Sequence, residues 1–198
     1  MRKEVVFILL LIVAIVALLS LSSKFNKGSE ADARKFFAED LASNYPAADA
    51  REILTSAQVG EGDSVYYLLK ARVSYNLSTP CPSRLEVEYY YPPQSFVRRT
   101  PTQLVGGCSV CSGNPGCVIS YMEEAIIASH TYEGSEPVNA YIQSHPAAKP
   151  TAVLQPLWNE HLDVWQVDWA DNSSGISVFI AQTPSRILAV QPMVPASQ

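Results

Sequence analysis

The sequence lacks the short motifs that identify common enzyme classes. No serine lies in a Gly-x-Ser-x-Gly turn, and neither a His-Glu-x-x-His zinc motif nor a phosphate-binding glycine loop occurs. The histidines are isolated; His130 and His145 fall at predicted helix ends, where an imidazole can interact with the helix dipole. Glu123 and Glu124 are adjacent on a predicted helix, which is typical of a solvated face. The sequence therefore favours a protein without a catalytic site.

Charged residues are scarce. They make up 17% of the chain, with 14 Lys and Arg against 19 Asp and Glu, and the net charge is −5. No cluster of basic residues occurs downstream of the N-terminal region. Because nucleic-acid-binding domains normally carry a basic patch, we predict no nucleic-acid partner.

The most informative segment is an uncharged apolar run that begins at Val5 and ends at Leu21. As a helix it would be roughly 25 Å long, near the lower limit for spanning a bilayer. The preferred interpretation is a single-pass anchor in the cell membrane with its N-terminus inside; a signal peptide cleaved near Ser22 is the alternative. Both interpretations predict that the C-terminal domain is extracytoplasmic.

Four cysteines have the spacing C-x26-C-x2-C-x5-C, and they are Cys81, Cys108, Cys111 and Cys117. An even number of cysteines in an extracytoplasmic domain favours two disulfides, with one bridge tying Cys81 to the cluster and one closing within it. A zinc site of four thiolates is the first alternative, because Cys108 and Cys111 have the spacing of a zinc knuckle. A redox-active dithiol is the second alternative. No other cofactor is expected.

Hydrophobic periodicity predicts alternating helices and strands. The predicted helices cover residues 31–45, 119–130 and 136–145. The predicted strands cover residues 52–59, 63–75, 84–91, 151–158, 162–169, 175–182 and 186–191. In the predicted strand 162–169, Trp165, Val167 and Trp169 share one face. We expect that face to pack against the predicted helix 136–145.

The two halves of the chain resemble each other. Pro46-Ala47-Ala48 recurs one hundred residues later as Pro146-Ala147-Ala148, and the apolar strand faces that follow also align. We therefore predict an α+β fold: an N-terminal transmembrane helix, then two similar half-units, each a helix with an antiparallel sheet, joined by a cysteine-bearing loop and a helix. The predicted segments are an anchor or signal (1–23), a tether (24–30), the first half-unit (31–100), the cysteine loop and helix (101–133), the second half-unit (134–192) and a tail (193–198).

The second half-unit resembles the PepSY module and, more loosely, cystatin-like α+β folds. The resemblance lies in a helix followed by Pro-Ala-Ala, the strand Trp165-Gln166-Val167-Asp168, and the apolar segments Val178-Phe179-Ile180 and Arg186-Ile187-Leu188-Ala189-Val190. The usual glycine of the final turn is replaced by Pro184-Ser185. The resemblance implies an extracytoplasmic module, often tethered to a membrane, that binds a partner or regulates a peptidase. It implies no catalytic residues.

Two further features bear on location and binding. Asn76 and Asn172 lie in Asn-x-Ser sequons, so they are candidate glycosylation sites in an exported chain. The run Tyr89-Tyr90-Tyr91 followed by two prolines could contribute to a binding surface.

The predicted function is a membrane-anchored, extracytoplasmic binding or regulatory module that acts on a protein or peptide partner through a sheet edge or the Tyr/Pro segment. One alternative is a thiol- or zinc-dependent activity centred on the four cysteines. Another is a structural subunit of a surface or envelope assembly.

Overall fold

The computed structural model describes residues 29–60, 65–91, 97–98, 100–111 and 116–193. Three helices are present in this part of the chain: α1 (Glu30–Asn44), α2 (Met122–Thr131) and α3 (Glu136–Ser144). Nine strands accompany them: β1 (Ala50–Val59), β2 (Tyr66–Tyr75), β3 (Ser83–Tyr91), β4 (Val97–Arg98), β5 (Thr102–Val105), β6 (Lys149–Trp158), β7 (His161–Ala170), β8 (Gly175–Ala181) and β9 (Arg186–Pro192).

The strands form two antiparallel sheets. The first has the order β1-β2-β3-β4, and β5 also pairs with β3, so β4 and β5 share the outer side of β3. Tyr90 pairs with Val97 at one end of β3, and Arg84 pairs with Val105 at the other. The second sheet is a meander with the order β6-β7-β8-β9.

The predicted helix-led α+β fold is wrong. The described chain is mostly sheet, with three short helices. The strands extend to ten residues, and β4 and β5 add pairings at residues where no strand was predicted. No helix within the described ranges is long and apolar enough to cross a bilayer. The predicted anchor, residues 5–21, lies outside those ranges.

The chain divides into two compact units, and strands β1, β2 and β3 each contribute residues to both. Within the first unit, α1 begins with a reciprocal cap: Asp32 N–H donates to Ser29 Oγ (3.1 Å), and Ser29 N–H donates to Asp32 Oδ2 (3.2 Å). The helix buries Ala33, Phe37 and Leu41, which are spaced four apart and so lie on one face. The Phe37 ring meets the buried Tyr89 ring edge-on at 4.2 Å, and both belong to this unit.

The second unit is built around α2. Six residues of this short helix are buried (Glu123, Ala125, Ile126, Ile127, Ala128 and Ser129), so the helix is covered on all sides. Trp165, Val167 and Trp169 are buried with them, as the alternation in β7 predicts. Trp165 Nε1 donates to Ile119 O (2.8 Å) and Trp169 Nε1 donates to Ser129 Oγ (2.9 Å), so both indole groups are satisfied in the core.

The two Pro-Ala-Ala segments form the same turn. Ala48 N–H donates to Tyr45 O at 3.1 Å, and Ala148 N–H donates to His145 O at 2.9 Å. Each turn follows a helix and leads directly into a long strand, β1 or β6. The repeated tripeptide therefore has the same local structure in both places.

Candidate functional site

The four cysteines form two disulfides, Cys81–Cys108 and Cys111–Cys117, with Cα–Cα distances of 4.7 Å and 5.5 Å. The prediction of disulfide bonds is confirmed, and one bridge ties Cys81 to the cluster while the other closes within it. The described part of the chain has no free cysteine. A site of four zinc-bound thiolates requires all four sulfurs as thiolates, and in this state all four are bonded in disulfides.

The pairing of β3 with β5 explains why Cys81 meets Cys108. Arg84, near the start of β3, pairs with Val105 at the end of β5. Cys81 lies shortly before this pair and Cys108 shortly after it. The sheet ladder therefore places the two cysteines opposite each other, just beyond its last pair.

His130 lies against this disulfide. It is near the C-terminal end of α2, as expected, and its Nδ1 is 3.0 Å from Ile126 O. Because a carbonyl only accepts, Nδ1 carries the proton and Nε2 carries a lone pair. Nε2 is 3.4 Å from Cys108 Sγ. Burial lowers the pKa of His130 below its ordinary value, and the hydrogen bond to Ile126 O opposes that shift.

Glu123 is fully buried, so the expectation of a solvated face is wrong. Arg72 Nη1 lies 3.5 Å from Glu123 Oε2, and Ser74 Oγ donates to Glu123 Oε1. Arg72 also reaches the exposed Glu52 through Nη2, at 2.6 Å from Oε2. The carboxylate thus lies in the first turn of α2, where the helix dipole favours negative charge, and it is matched by a buried guanidinium.

Glu124 completes a second ion pair at the same helix end. Its Oε2 accepts the backbone N–H groups of Ser120 (2.7 Å) and Tyr121 (3.1 Å), and its Oε1 accepts from Arg84 Nη2 (2.9 Å). The guanidinium carbons of Arg84 and Arg72 lie 4.0 Å and 5.2 Å from the centroid of the Tyr121 ring. Both cations therefore face the π-electrons of one aromatic ring.

Most of this network is buried. Three of its buried nitrogens have no hydrogen-bond acceptor among the described residues: Arg72 Nε, Arg84 Nε and Arg84 Nη1. A buried ion pair with unsatisfied donors contributes little net stability, but removing one partner is costly. The residues that form it are far apart in sequence, so no local sequence signal identifies it.

Strand β6 is an edge of the second sheet and exposes apolar side chains. Val153, Leu154 and Leu157 are 57%, 40% and 61% exposed, and Leu162, which pairs with Leu157, is 73% exposed. These are four of the seven large hydrophobic residues that are exposed in the described chain. On the opposite edge, β9, the corresponding apolar side chains are half-buried. The β6–β7 hairpin is therefore the main exposed apolar surface of the described chain.

The turn of this hairpin is tight. Asn159 and Glu160 both have positive φ, 44° and 69°, and join Trp158 to its pairing partner His161. Two left-handed residues in a two-residue loop match the twist of the strands. The Trp158 ring stacks on Phe179 at 4.2 Å, so the base of the tip is anchored on β8. The exposed Leu157 and Leu162 therefore lie next to a turn that is packed against β8.

The other predicted features lie apart from these sites. Tyr89 is buried, and the rings of Tyr90 and Tyr91 contact those of Tyr66 and Phe36, so much of the tyrosine run packs within the first unit. The two prolines after it lie outside the described residues. The sequon residues Asn76 and Asn172 are both exposed in loops.

The chain matches no protein-family model, no curated protein and no solved structure. The resemblance of the second half-unit to PepSY and cystatin-like modules therefore stays a prediction.

Proposed function

We propose that the protein is an extracytoplasmic binding module that captures an extended segment of a protein partner along strand β6. The observation that carries the proposal is the exposed, apolar edge of the second sheet. A free edge offers unpaired backbone groups to an added strand, and the alternating side chains select its sequence.

Two features of β6 fit an edge that accepts a partner. The strand is ten residues long, which is enough for several main-chain hydrogen bonds. Pro150 and Pro156 fit an edge position, because proline cannot donate to a ladder, and they restrict pairing with an added strand to residues 151–155 between them. The exposed Val153 and Leu157 supply apolar contacts beside the backbone groups. The tyrosine run is a weaker candidate, because Tyr89 is buried and the rings of Tyr90 and Tyr91 already contact other rings of the first unit.

The proposed location rests on different observations. Two disulfides are typical of oxidising compartments. The apolar residues 5–21, as an anchor or as a cleaved signal, are the segment that would bring the chain to the cell membrane and export the rest. Both sequons are exposed, as glycan acceptors must be.

The proposal is tested by photo-crosslinking the full chain in its native envelope. A photoreactive phenylalanine analogue at Leu157 is expected to capture one protein partner, and the same analogue at Leu104, an exposed leucine on β5, is the matched control. A synthetic peptide of the captured segment should bind the purified chain. Val153→Asp together with Leu157→Asp should weaken that binding by at least about tenfold, or ~1.4 kcal/mol.

Two outcomes contradict the proposal. Equal capture from Leu157 and Leu104 would mean that the edge has no preference for a partner. Capture of a second copy of this chain alone would instead assign β6 to self-association, which is the structural-subunit alternative.

A further inference from the structure

We propose that reduction of the Cys81–Cys108 disulfide creates a zinc site whose ligands are Cys81 Sγ, Cys108 Sγ and His130 Nε2. This site is independent of the proposed binding edge on β6. It also differs from the four-thiolate site suggested by the cysteine spacing, because it uses a histidine and omits Cys111 and Cys117.

The three ligand atoms are already close together. All lie within 4.8 Å of one another, and His130 Nε2 is 3.4 Å from Cys108 Sγ. A tetrahedral zinc ion with bonds of ~2.3 Å to sulfur and ~2.0–2.1 Å to nitrogen separates its N and S ligands by roughly 3.6 Å and its two sulfurs by roughly 3.8 Å. The spacing of His130 and Cys108 therefore needs almost no change, whereas the two sulfurs must move apart and Cys81 Sγ must come to roughly 3.6 Å from Nε2.

The histidine is oriented as a metal ligand would be. Its Nδ1–H donates to Ile126 O at 3.0 Å, which leaves the Nε2 lone pair on the side of the sulfur. Zinc-binding histidines commonly hold their second nitrogen in this way, on a backbone carbonyl or a carboxylate. The His130 ring also meets the buried Trp169 edge-on, with 5.8 Å between centroids, and so its plane is fixed by packing.

The two thiols should stay close together after reduction. The ladder pair Arg84 and Val105 lies beside them and joins β3 to β5 through the backbone. Cys81 is exposed, whereas Cys108 and His130 are half-buried. A small reductant can therefore reach the bond, and the fourth coordination position would open to solvent, as in zinc sites with three protein ligands.

The chemistry balances with a small dithiol as reductant. The dithiol passes two electrons and two protons to the Cys81–Cys108 bond, which becomes two thiols, while the reductant forms its own disulfide. One Zn²⁺ then displaces the two thiol protons and binds two thiolates. His130 contributes its lone pair without losing a proton. Reoxidation to the disulfide would release the ion.

The test uses the full chain in mild detergent, as the double variant Cys111→Ser/Cys117→Ser, which keeps only the first bridge. After reduction with a dithiol and anaerobic removal of the reductant, we expect one Zn²⁺ per chain, measured by competition with a chromophoric chelator. Co²⁺ should give tetrahedral d–d bands and a thiolate charge-transfer band. The oxidised protein should give neither.

His130→Ala should weaken zinc binding by at least about tenfold. Mutating a residue that only hydrogen-bonds to a metal ligand already costs that much, so removing a ligand should cost no less. His145→Ala is the matched control: its Nδ1 lies 3.1 Å from Tyr141 O in the same arrangement, and it belongs to no ligand cluster in the described chain. If His130→Ala does not fold, the test uses ¹⁵N NMR of the Cys111→Ser/Cys117→Ser variant with labelled histidine. The Nε2 resonance of His130 should shift on zinc addition.

Three results would overturn the proposal. One is a reduced double variant that binds zinc no better than the oxidised form. Another is folded His130→Ala that binds as tightly as its parent, or an unmoved Nε2 resonance. The third is zinc binding that appears only when Cys111 and Cys117 are present, which would assign the site to the four thiolates.

Discussion

Glu123 has no exposed surface, and its charge is held by Arg72 and Ser74 rather than by water. The Glu123 carboxylate therefore interacts with these two side chains, and it is one of the two carboxylates that pair with the buried Arg72. Removing one partner of such an ion pair is costly, because the other charge is then left buried without its partner.

We predict that Glu123→Gln lowers the free energy of unfolding by about 3 kcal/mol, because it leaves the buried Arg72 with the exposed Glu52 as its remaining carboxylate. Glu133→Gln, at an exposed position just after α2, should change it by less than about 0.5 kcal/mol. Urea denaturation of both variants and the parent measures the difference. Equal stabilities for the two variants would contradict the role assigned to Glu123.

Asp171 organises the loop between β7 and β8 and gives a pH-dependent prediction. Its pKa is lowered mainly by the hydrogen bond from Ser173 N–H (2.7 Å), then by Ser173 Oγ and by Ser174 N–H. A carboxylate with a lowered pKa in the folded state stabilises above its unfolded pKa, and that stabilisation is lost as the pH falls through the folded pKa.

We therefore expect Asp171→Asn to be less stable than the parent at pH 7, and the difference to shrink below about pH 4 as the parent carboxylate becomes protonated. Thermal unfolding at several pH values from neutral to acidic measures it. A stability difference that stays constant over this range would show that the charge of Asp171 is not involved.

At the scale of elements, the two disulfides close loops of different length, with sequence separations of 27 and 6. Loop-closure entropy predicts that the disulfide closing the longer loop stabilises the folded state more. The expected stabilisation is about 3.5 kcal/mol for Cys81–Cys108 and about 2 kcal/mol for Cys111–Cys117. Replacing each pair with serines and measuring the free energy of unfolding should give losses in that order. A larger loss for Cys111→Ser/Cys117→Ser would contradict it.

The long elements could be predicted from sequence because each has a strong local pattern. Helix α1 was predicted at residues 31–45 and is found at Glu30–Asn44, with its apolar residues on one face before Pro46. Strand β7 shows its buried face by alternation from Trp165 to Trp169. The short strands β4 and β5 could not be predicted, because two to four residues carry no period and form only by pairing with β3.

The candidate sites were less accessible to prediction. Cysteine count and context favour disulfides, but the approach of His130 to Cys108 depends on a residue 22 positions away on another element. The same holds for Arg72 and Glu123, which are 51 positions apart. Such contacts follow from how β2, β3 and α2 pack within the second unit, and a single sequence does not encode that packing as a local pattern.

At the scale of the whole molecule, the division into units differs from the repeat in the sequence. The repeated Pro-Ala-Ala turn suggests two consecutive halves, whereas strands β1, β2 and β3 each pass through both compact units. Local similarity between two segments thus predicts similar local structure without predicting where the compact units divide. The sheets dominate because the strands are long and the helices short.

The position of helix α2 in the sequence has a consequence for folding during synthesis on the ribosome. It is complete once Thr131 has been added, but β7 and β8, which cover one of its sides, end at Ala170 and Ala181. At ~5–20 residues per second, the helix stays uncovered for several seconds of synthesis. A ribosome that stops before β8 therefore releases a chain whose most apolar helix is open on one side, and that chain is prone to aggregate.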